Sequence, residues 1–154
     1  MRYKIIKYKY LALFCTIFIL SCNNDDVEPI DCVVTLTDNN ITYVDGKKFT
    51  GQCYIYAADG IIVRLRSYKR GKLNGIQKGW YHPDRELAYV GYRKNGEIHG
   101  EYTGYHKNGS KQAEGRFKRG HYDRKWLYYN ENEQLVMEKS FYNGKVIDST
   151  LIIP

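Results

Sequence analysis

Residues 95–120 read Asn95-Gly96-Glu97-Ile98-His99-Gly100-Glu101-Tyr102-Thr103-Gly104-Tyr105-His106-Lys107-Asn108-Gly109-Ser110-Lys111-Gln112-Ala113-Glu114-Gly115-Arg116-Phe117-Lys118-Arg119-Gly120. Two Asn-Gly pairs and a closing Arg-Gly divide this stretch into segments of strand length. Asn-Gly is the dipeptide that a type I′ hairpin turn asks for, because both central residues take positive φ. The flanking chain alternates as strands do, most plainly at Leu87-Ala88-Tyr89-Val90-Gly91-Tyr92, where successive side chains face opposite sides. No window of the chain carries a sustained helical period.

The same pattern recurs outward from this stretch. One column holds Gly51, Gly75, Gly100 and Arg124, spaced 24, 25 and 24; a second holds Tyr56, Tyr81, Tyr105 and Tyr129, spaced 25, 24 and 24. A third holds Tyr68, Tyr92, Phe117 and Phe141, again spaced 24, 25 and 24. Turn dipeptides fall between the columns: Asp59-Gly60 and Asn108-Gly109 in one position, Asn95-Gly96 and Asn143-Gly144 in the other. Arg70-Gly71 and Arg119-Gly120 are weaker versions, Asp84-Arg85 and Asn132-Glu133 have lost the Gly, and Asp45-Gly46 opens the series with a partial unit. Two turns per unit give two strands per unit. The expectation is an all-β protein: an elongated antiparallel meander of β-hairpin repeats, about 24 residues each, in a single twisted sheet spanning residues 33–154. The distance from Gly51 to Tyr68, Gly75 to Tyr92, Gly100 to Phe117 and Arg124 to Phe141 is always 17 residues. A constant distance across a hairpin predicts a cross-strand pair in which the aromatic ring covers the bare glycine, with the Arg124 guanidinium stacked on Phe141 in the last unit.

Residues Gly75 to Tyr81, Asn95-Gly96-Glu97, Gly100 to Tyr105, Asn108-Gly109 and Asn143-Gly144-Lys145 resemble MORN-type repeats, and more closely their bacterial variant, over about residues 49–147. Chains of this kind are often labelled YwqK-type antitoxins, so the resemblance implies a β-hairpin array and a role in neutralising a toxin.

The first residues write an address. Arg2, Lys4, Lys7 and Lys9 precede an apolar or small run from Leu11 to Leu20, ten residues long, against the roughly 20 a spanning helix needs. Residues 1–21 therefore read as an export signal. Ile19-Leu20-Ser21-Cys22 resembles a bacterial lipobox, making Cys22 the acylated N-terminus of the mature chain and residues 22–32 an acidic tether. An ordinary signal peptide or an uncleaved anchor are the plainer alternatives. The acids after Cys22 resemble the signal that sends lipoproteins to the cell surface in Bacteroidetes-type bacteria, so the expected place is the outer membrane, surface-exposed, with the periplasmic face as the alternative. Cys32 and Cys53 remain after maturation. In an exported chain they suggest a disulfide closing a loop of about 20 residues, worth about 3 kcal/mol in the chain-entropy model, with two buried thiols as the alternative.

The formal charge of +7 conceals an uneven distribution. Residues 23–45 hold six acids and no Lys or Arg; from Gly46 onward 20 Lys and Arg face 11 acids, a balance of +9. An acidic lead-in thus precedes a basic body.

Chemistry that converges is hard to find in this pattern. His82 and His106 share a repeat column, which places them about 9.6 Å apart on alternate strands, too far for one zinc. No G-x-S-x-G elbow, P-loop or dinucleotide fingerprint is present. The reading is of a non-enzyme with no metal and no cofactor. Aromatics are the candidates for binding: residues 49–142 contain 17 Phe, Trp and Tyr, more than one thin sheet buries. Tyr54, Trp80, Tyr102, Trp126 and Tyr128 could line a groove, or simply pack along the columns. Basic residues before the turns (Lys69, Arg70, Arg93, Lys94, Lys118, Arg119) form an anion-facing edge, or block sheet-to-sheet pairing. The function expected is an exported, lipid-anchored, non-catalytic β-repeat module that binds another macromolecule. A protein partner is favoured over a glycan, with no nucleic acid and with membrane contact only through the lipid. The alternative is an antitoxin or immunity protein that neutralises a toxin.

Overall fold

In the computed structural model, which describes residues 28–34 and 36–153, the chain is all-β. The expected export signal at 1–21, the expected lipidation site Cys22 and the expected tether up to residue 27 lie outside the described residues. A short parallel strand β1 (Ile30–Asp31) and a 3-10 turn (Cys32–Val34) lead into β2 (Leu36–Asp38), β3 (Ile41–Val44) and β4 (Lys47–Lys48). The body follows as β5 (Gly51–Tyr56), β6 (Ile62–Lys69), β7 (Lys72–Trp80), β8 (Leu87–Lys94), β9 (Glu97–Tyr105), β10 (Lys111–Lys118), β11 (His121–Tyr129), β12 (Leu135–Tyr142) and β13 (Lys145–Leu151). These nine strands form an open antiparallel meander, each bonded to its neighbours in sequence, with β1 added parallel to β5. The single sheet expected from the repeats holds from Gly51 onward. Residues 36–48 form their own three-stranded sheet. That small sheet is seated on the first body turn, where Thr42 N–H donates to Gly71 O at 2.8 Å and Gly71 N–H to Phe49 O at 2.6 Å.

The two turn columns differ in kind. At Asn95-Gly96 both residues have positive φ, 55° and 95°, as type I′ requires, and the turns at 45–46, 70–71, 119–120 and 143–144 repeat that geometry. The other column was expected to be type I′ as well and is not. Its loops carry three residues, as where Ala57 N–H bonds Ile61 O at 2.8 Å and Gly60 N–H bonds Ala57 O at 3.0 Å, so one left-handed residue suffices, at the last loop position. Asp59 and Asn108 serve there through their side chains, accepting the N–H of Ile61 and Ser110 at 3.1 and 3.0 Å. The loop at residues 82–85 holds one residue more, closed by Tyr81 N–H to Glu86 O. That extra residue is why the glycine column steps 25 between Gly75 and Gly100.

It also shifts the pairing. Gly51 pairs Tyr68, Gly100 pairs Phe117 and Arg124 pairs Phe141, as the spacing predicts. Gly75 pairs Arg93, while Tyr92 stands opposite Ile76. The aligned column is therefore Tyr68, Arg93, Phe117 and Phe141, each three residues before a turn glycine. Because neighbours on a strand face opposite sides, Tyr92 is turned outward and is 43% exposed, whereas Tyr68, Phe117 and Phe141 are each at 9%. Two separate aromatic clusters result. Phe49, Cys53 and Tyr68 pack with Ile30, Cys32, Val44 and Leu73 at one end; Phe117, Trp126 and Phe141 pack with Ile98, Tyr102 and Tyr128 at the other.

The expected covering of the column glycines by the paired rings does not occur. A side chain at Gly100 would meet Tyr92 Cβ at 3.6 Å, in ordinary contact, and the residue is glycine because its φ is 96°. Arg124 tolerates the equivalent position at φ 61°. Its guanidinium reaches Asp123 at 3.8 Å, while Phe141 is stacked by Tyr122 with centroids 4.9 Å apart. Rings do cover glycines, but on neighbouring positions: Tyr89 over Gly79, Tyr102 over Gly91 and Trp126 over Gly115.

Candidate functional site

Between the two aromatic clusters, where Arg93 stands in the ring column, the sheet face carries a gap of about 250 Å³. The register builds it row by row. One row runs Arg66, Gln77, Gly91, Tyr102 across β6 to β9; the adjacent row runs Arg64, Gly79, Tyr89 across β6 to β8. Arg64 and Arg66, two apart on β6, share this face and form one wall. Tyr89 and Tyr102, stacked at 6.1 Å with 17° between planes, form the other. Leu73 and Ile98 close the end toward the type I′ turns, and Gly91, beneath the edge of the Tyr102 ring, adds no side chain of its own.

The three guanidinium groups of this gap meet no carboxylate. Its lining holds no Asp or Glu, and the ion pairs among the described residues involve other groups. Arg93 Nη1 donates to Gly96 O at 2.7 Å, which fixes the side chain against its own turn. Gln77 is held from below, its Nε2 donating to Ser67 O at 3.2 Å. Burial, then the neighbouring Tyr89, Tyr122 and Tyr81, push the Tyr102 phenol above its usual range, so it stays neutral at physiological pH. The site is cationic and concave, with Tyr89, Tyr92 and Tyr102 as its aromatic members, a geometry suited to recognition.

The residues singled out from sequence are distributed over three places. Tyr102, Trp126 and Tyr128 come together on the gap side, but Trp126 is 2% exposed and its indole N–H donates to Arg116 O at 3.1 Å, so it holds the array together. Tyr54 and Trp80 are far from them, lining a separate shallow pocket with Tyr56, Ile62 and Arg85. The single groove expected from these five aromatics is therefore not formed. Arg93 lines the gap, while Lys94, Lys118 and Arg119 lie exposed at the type I′ turn margin. Arg64, Arg66, Gln77 and Tyr89 were missed. The sequence did hold a signal for the gap, though not for these residues: counting back three residues from Gly71, Gly96, Gly120 and Gly144 gives Tyr68, Arg93, Phe117 and Phe141, an aromatic column interrupted by one arginine.

The histidines are absorbed by the loops. His82 Nε2 donates to the Asp59 carboxylate at 2.7 Å and His106 Nε2 to Tyr129 O at 2.9 Å, each tying one unit to its neighbour. The hydrogen bond from His82, followed by that from the Ile61 N–H, holds the Asp59 carboxyl below its usual range. Cys32 and Cys53 are joined as a disulfide at 2.03 Å. Among the described residues no group of three or more His, Cys, Asp or Glu could hold a metal ion, and no helix is long and apolar enough to cross a membrane.

The fold and gap define an open, single-layer β-hairpin array with a cationic, aromatic recess. No family model and no curated protein matches the chain. Among solved structures it is similar to a protein with unknown function from Bacteroides fragilis, at 16% identity and a TM-score of 0.19, over 73% of this chain and 89% of that one.

Proposed function

We propose that this chain is an exported, non-catalytic module, anchored by a lipid on Cys22, that binds another protein through the basic margin of its sheet. The observation that carries the reading is the composition of that margin. The four type I′ turns of the body, with the residue on either side of each, place Lys69, Arg70, Lys72, Lys94, Lys118, Arg119 and Lys145 along one edge, with Glu97 as the single acid. All seven cations are exposed, and none takes part in an ion pair among the described residues. The opposite margin carries five acids, Asp59, Asp84, Glu86, Glu131 and Glu133, against two cations, Arg85 and Lys107. A row of fixed positive charge steers an acidic protein surface and sets the orientation of docking. Lysines that only discourage edge pairing belong on edge strands, whereas all of these except Lys145 flank turns between interior strands.

A benzophenone amino acid placed at Glu97 tests the reading in intact cells, with the same group at Glu131 on the opposite margin as the comparison. A discrete protein adduct from position 97, lost when Lys69, Lys94 and Lys118 are changed to Glu, is the expected result. Equal adducts from both margins, or none, would overturn it. Metabolic labelling with a fatty-acid analogue tests the anchor: label is expected on the wild type and absent from Cys22→Ala.

A further inference from the structure

We infer that the gap between the aromatic clusters is a carboxylate pocket that receives a Glu or Asp side chain from the partner protein. The inference rests on the binding-module reading and names the chemistry at its centre.

Three observations lead there. First, the gap exists because one position of an otherwise aromatic column is arginine. Neighbouring units place Ser67-Tyr68, Arg116-Phe117 and Ser140-Phe141 at the two aligned positions, ring second; this unit reads Tyr92-Arg93, ring first. A ring at 93 would have joined the two clusters into one continuous core. Second, Arg93 is joined there by Arg64 and Arg66, so three like charges face a recess without any acid in its lining. An unpaired cation in a concave, partly apolar site is under-compensated until an anion arrives. Third, the recess is asymmetric, with guanidinium groups on one side and the stacked rings of Tyr89 and Tyr102 on the other, closed at the margin end by Leu73 and Ile98.

The planar, forked guanidinium matches a carboxylate bidentately. Ring and aliphatic walls suit the short methylene stem of an acidic side chain. A volume of about 250 Å³ lies below the range usual for drug-sized ligands, which fits a single inserted residue. Arg93 joins the gap to the basic margin, since its Nη1 donates to Gly96 O of the Asn95-Gly96 turn. One acidic protein surface can therefore lie along the margin while one of its side chains enters the pocket, and Arg and Tyr are the residue types that most often carry such central contacts.

The test uses the full-length lipoprotein in detergent and two fluorescein-labelled peptides, Gly-Gly-Tyr-Glu-Glu-Gly-Gly and its Gln-Gln counterpart, read by fluorescence anisotropy. The acidic peptide should bind at least about tenfold more tightly than the amide peptide. Arg66→Gln and Arg93→Gln should each cost about tenfold, and Lys107→Gln on the opposite margin should cost nothing. Arg93→Phe guards against simple misfolding, because it fills the column and should fold at least as well while losing the acidic preference. Equal binding of the two peptides, or full binding by Arg93→Phe, overturns the pocket. Unlabelled glucuronate or inorganic phosphate displacing the acidic peptide at lower concentration than free glutamate also overturns it, in favour of a glycan or phosphate site. The two readings fail separately. Crosslinking at position 97 that survives Arg66→Gln and Arg93→Gln keeps the module and removes the pocket, whereas peptide binding without any adduct keeps the pocket and removes the module.

Discussion

Gly100 and Gly115 lie on facing strands of one hairpin and are glycine for different reasons. At Gly100 the reason is backbone: φ is 96°, a region that costs other residues about 1–3 kcal/mol. At Gly115 it is space, since an added Cβ would clash with the Trp126 ring. Gly100→Val is therefore expected to destabilise by about 1–3 kcal/mol, and to add to Phe117→Ala without coupling, as Tyr92 and not Phe117 is what an added Cβ meets. Gly115→Ala is expected to cost about 1–3 kcal/mol by overpacking and to lose most of that cost when Trp126 is Ala. Urea midpoints of the two double-mutant cycles decide. Coupling at 100–117, or additivity at 115–126, would contradict the assignment. From sequence alone the two sites could not be told apart. Spacing shows that a glycine recurs opposite a ring, which is a statement about register, but it carries no φ and no direction for the ring. The 17-residue interval therefore located three real cross-strand pairs, and for the two that contain a glycine, Gly51 and Gly100, it suggested the wrong cause.

Between β7 and β8 the interval misled more seriously, because the loop at 82–85 has one residue more than the others and Tyr92 took the place that Arg93 holds in space. Placing Phe at 93 should restore what the other units have. Burying a Phe side chain stabilises by about 1.5–3 kcal/mol, and the loss of mutual repulsion among three arginines acts in the same direction. Arg93→Phe is thus expected to raise the urea midpoint; a lower midpoint would show that the two clusters cannot be bridged. That a stabilising residue is available and unused is what a functional position looks like. A second element-level contact links β10 and β11. Tyr129 Oη donates to Glu114 Oε1 at 2.6 Å, and Lys111 Nζ donates to Glu114 Oε2 at 2.9 Å. Lys111, then Tyr129, holds the Glu114 carboxyl below its usual range, so its contribution is present above the unfolded carboxylate pKa and is lost as pH falls through the lower folded value. Glu114 pushes the Tyr129 phenol up to about 12, so that contribution is present below the ordinary phenol value of about 10 and is lost as pH rises toward 12. Stability measured against pH should fall on both limbs in the wild type and flatten on both in Glu114→Gln. An unchanged alkaline limb would place the Tyr129 shift elsewhere.

At the scale of the whole molecule, the meander of the body and its open sheet were legible from turn dipeptides, because each Asx-Gly specifies a local reversal without reference to the rest of the chain. The separate sheet at 36–48 was not, since its seat on Gly71 depends on contacts between residues about 30 apart that leave no periodic trace. The units are stitched along both margins. Turn N–H groups of Gly96, Gly120 and Gly144 bond Leu73, Ile98 and Tyr122 carbonyls on one side, and loop side chains such as Tyr81, His106 and Asn108 bond the next unit on the other. The Cys32–Cys53 bridge stands outside this pattern, and it determines how the molecule carries mechanical load. A pull applied on the N-terminal side of Cys32 and leaving at the far end passes from Cys32 directly to Cys53 through sulfur. The 20 residues between them, including the whole small sheet, form a slack side loop that bears no tension. Stretched between its ends, the oxidised chain should unravel strand by strand without ever releasing that loop. Adding a reductant should lengthen the fully extended chain by about 70 Å, at about 3.5 Å per residue. Equal extended lengths before and after reduction would show that the tension never ran through the bridge.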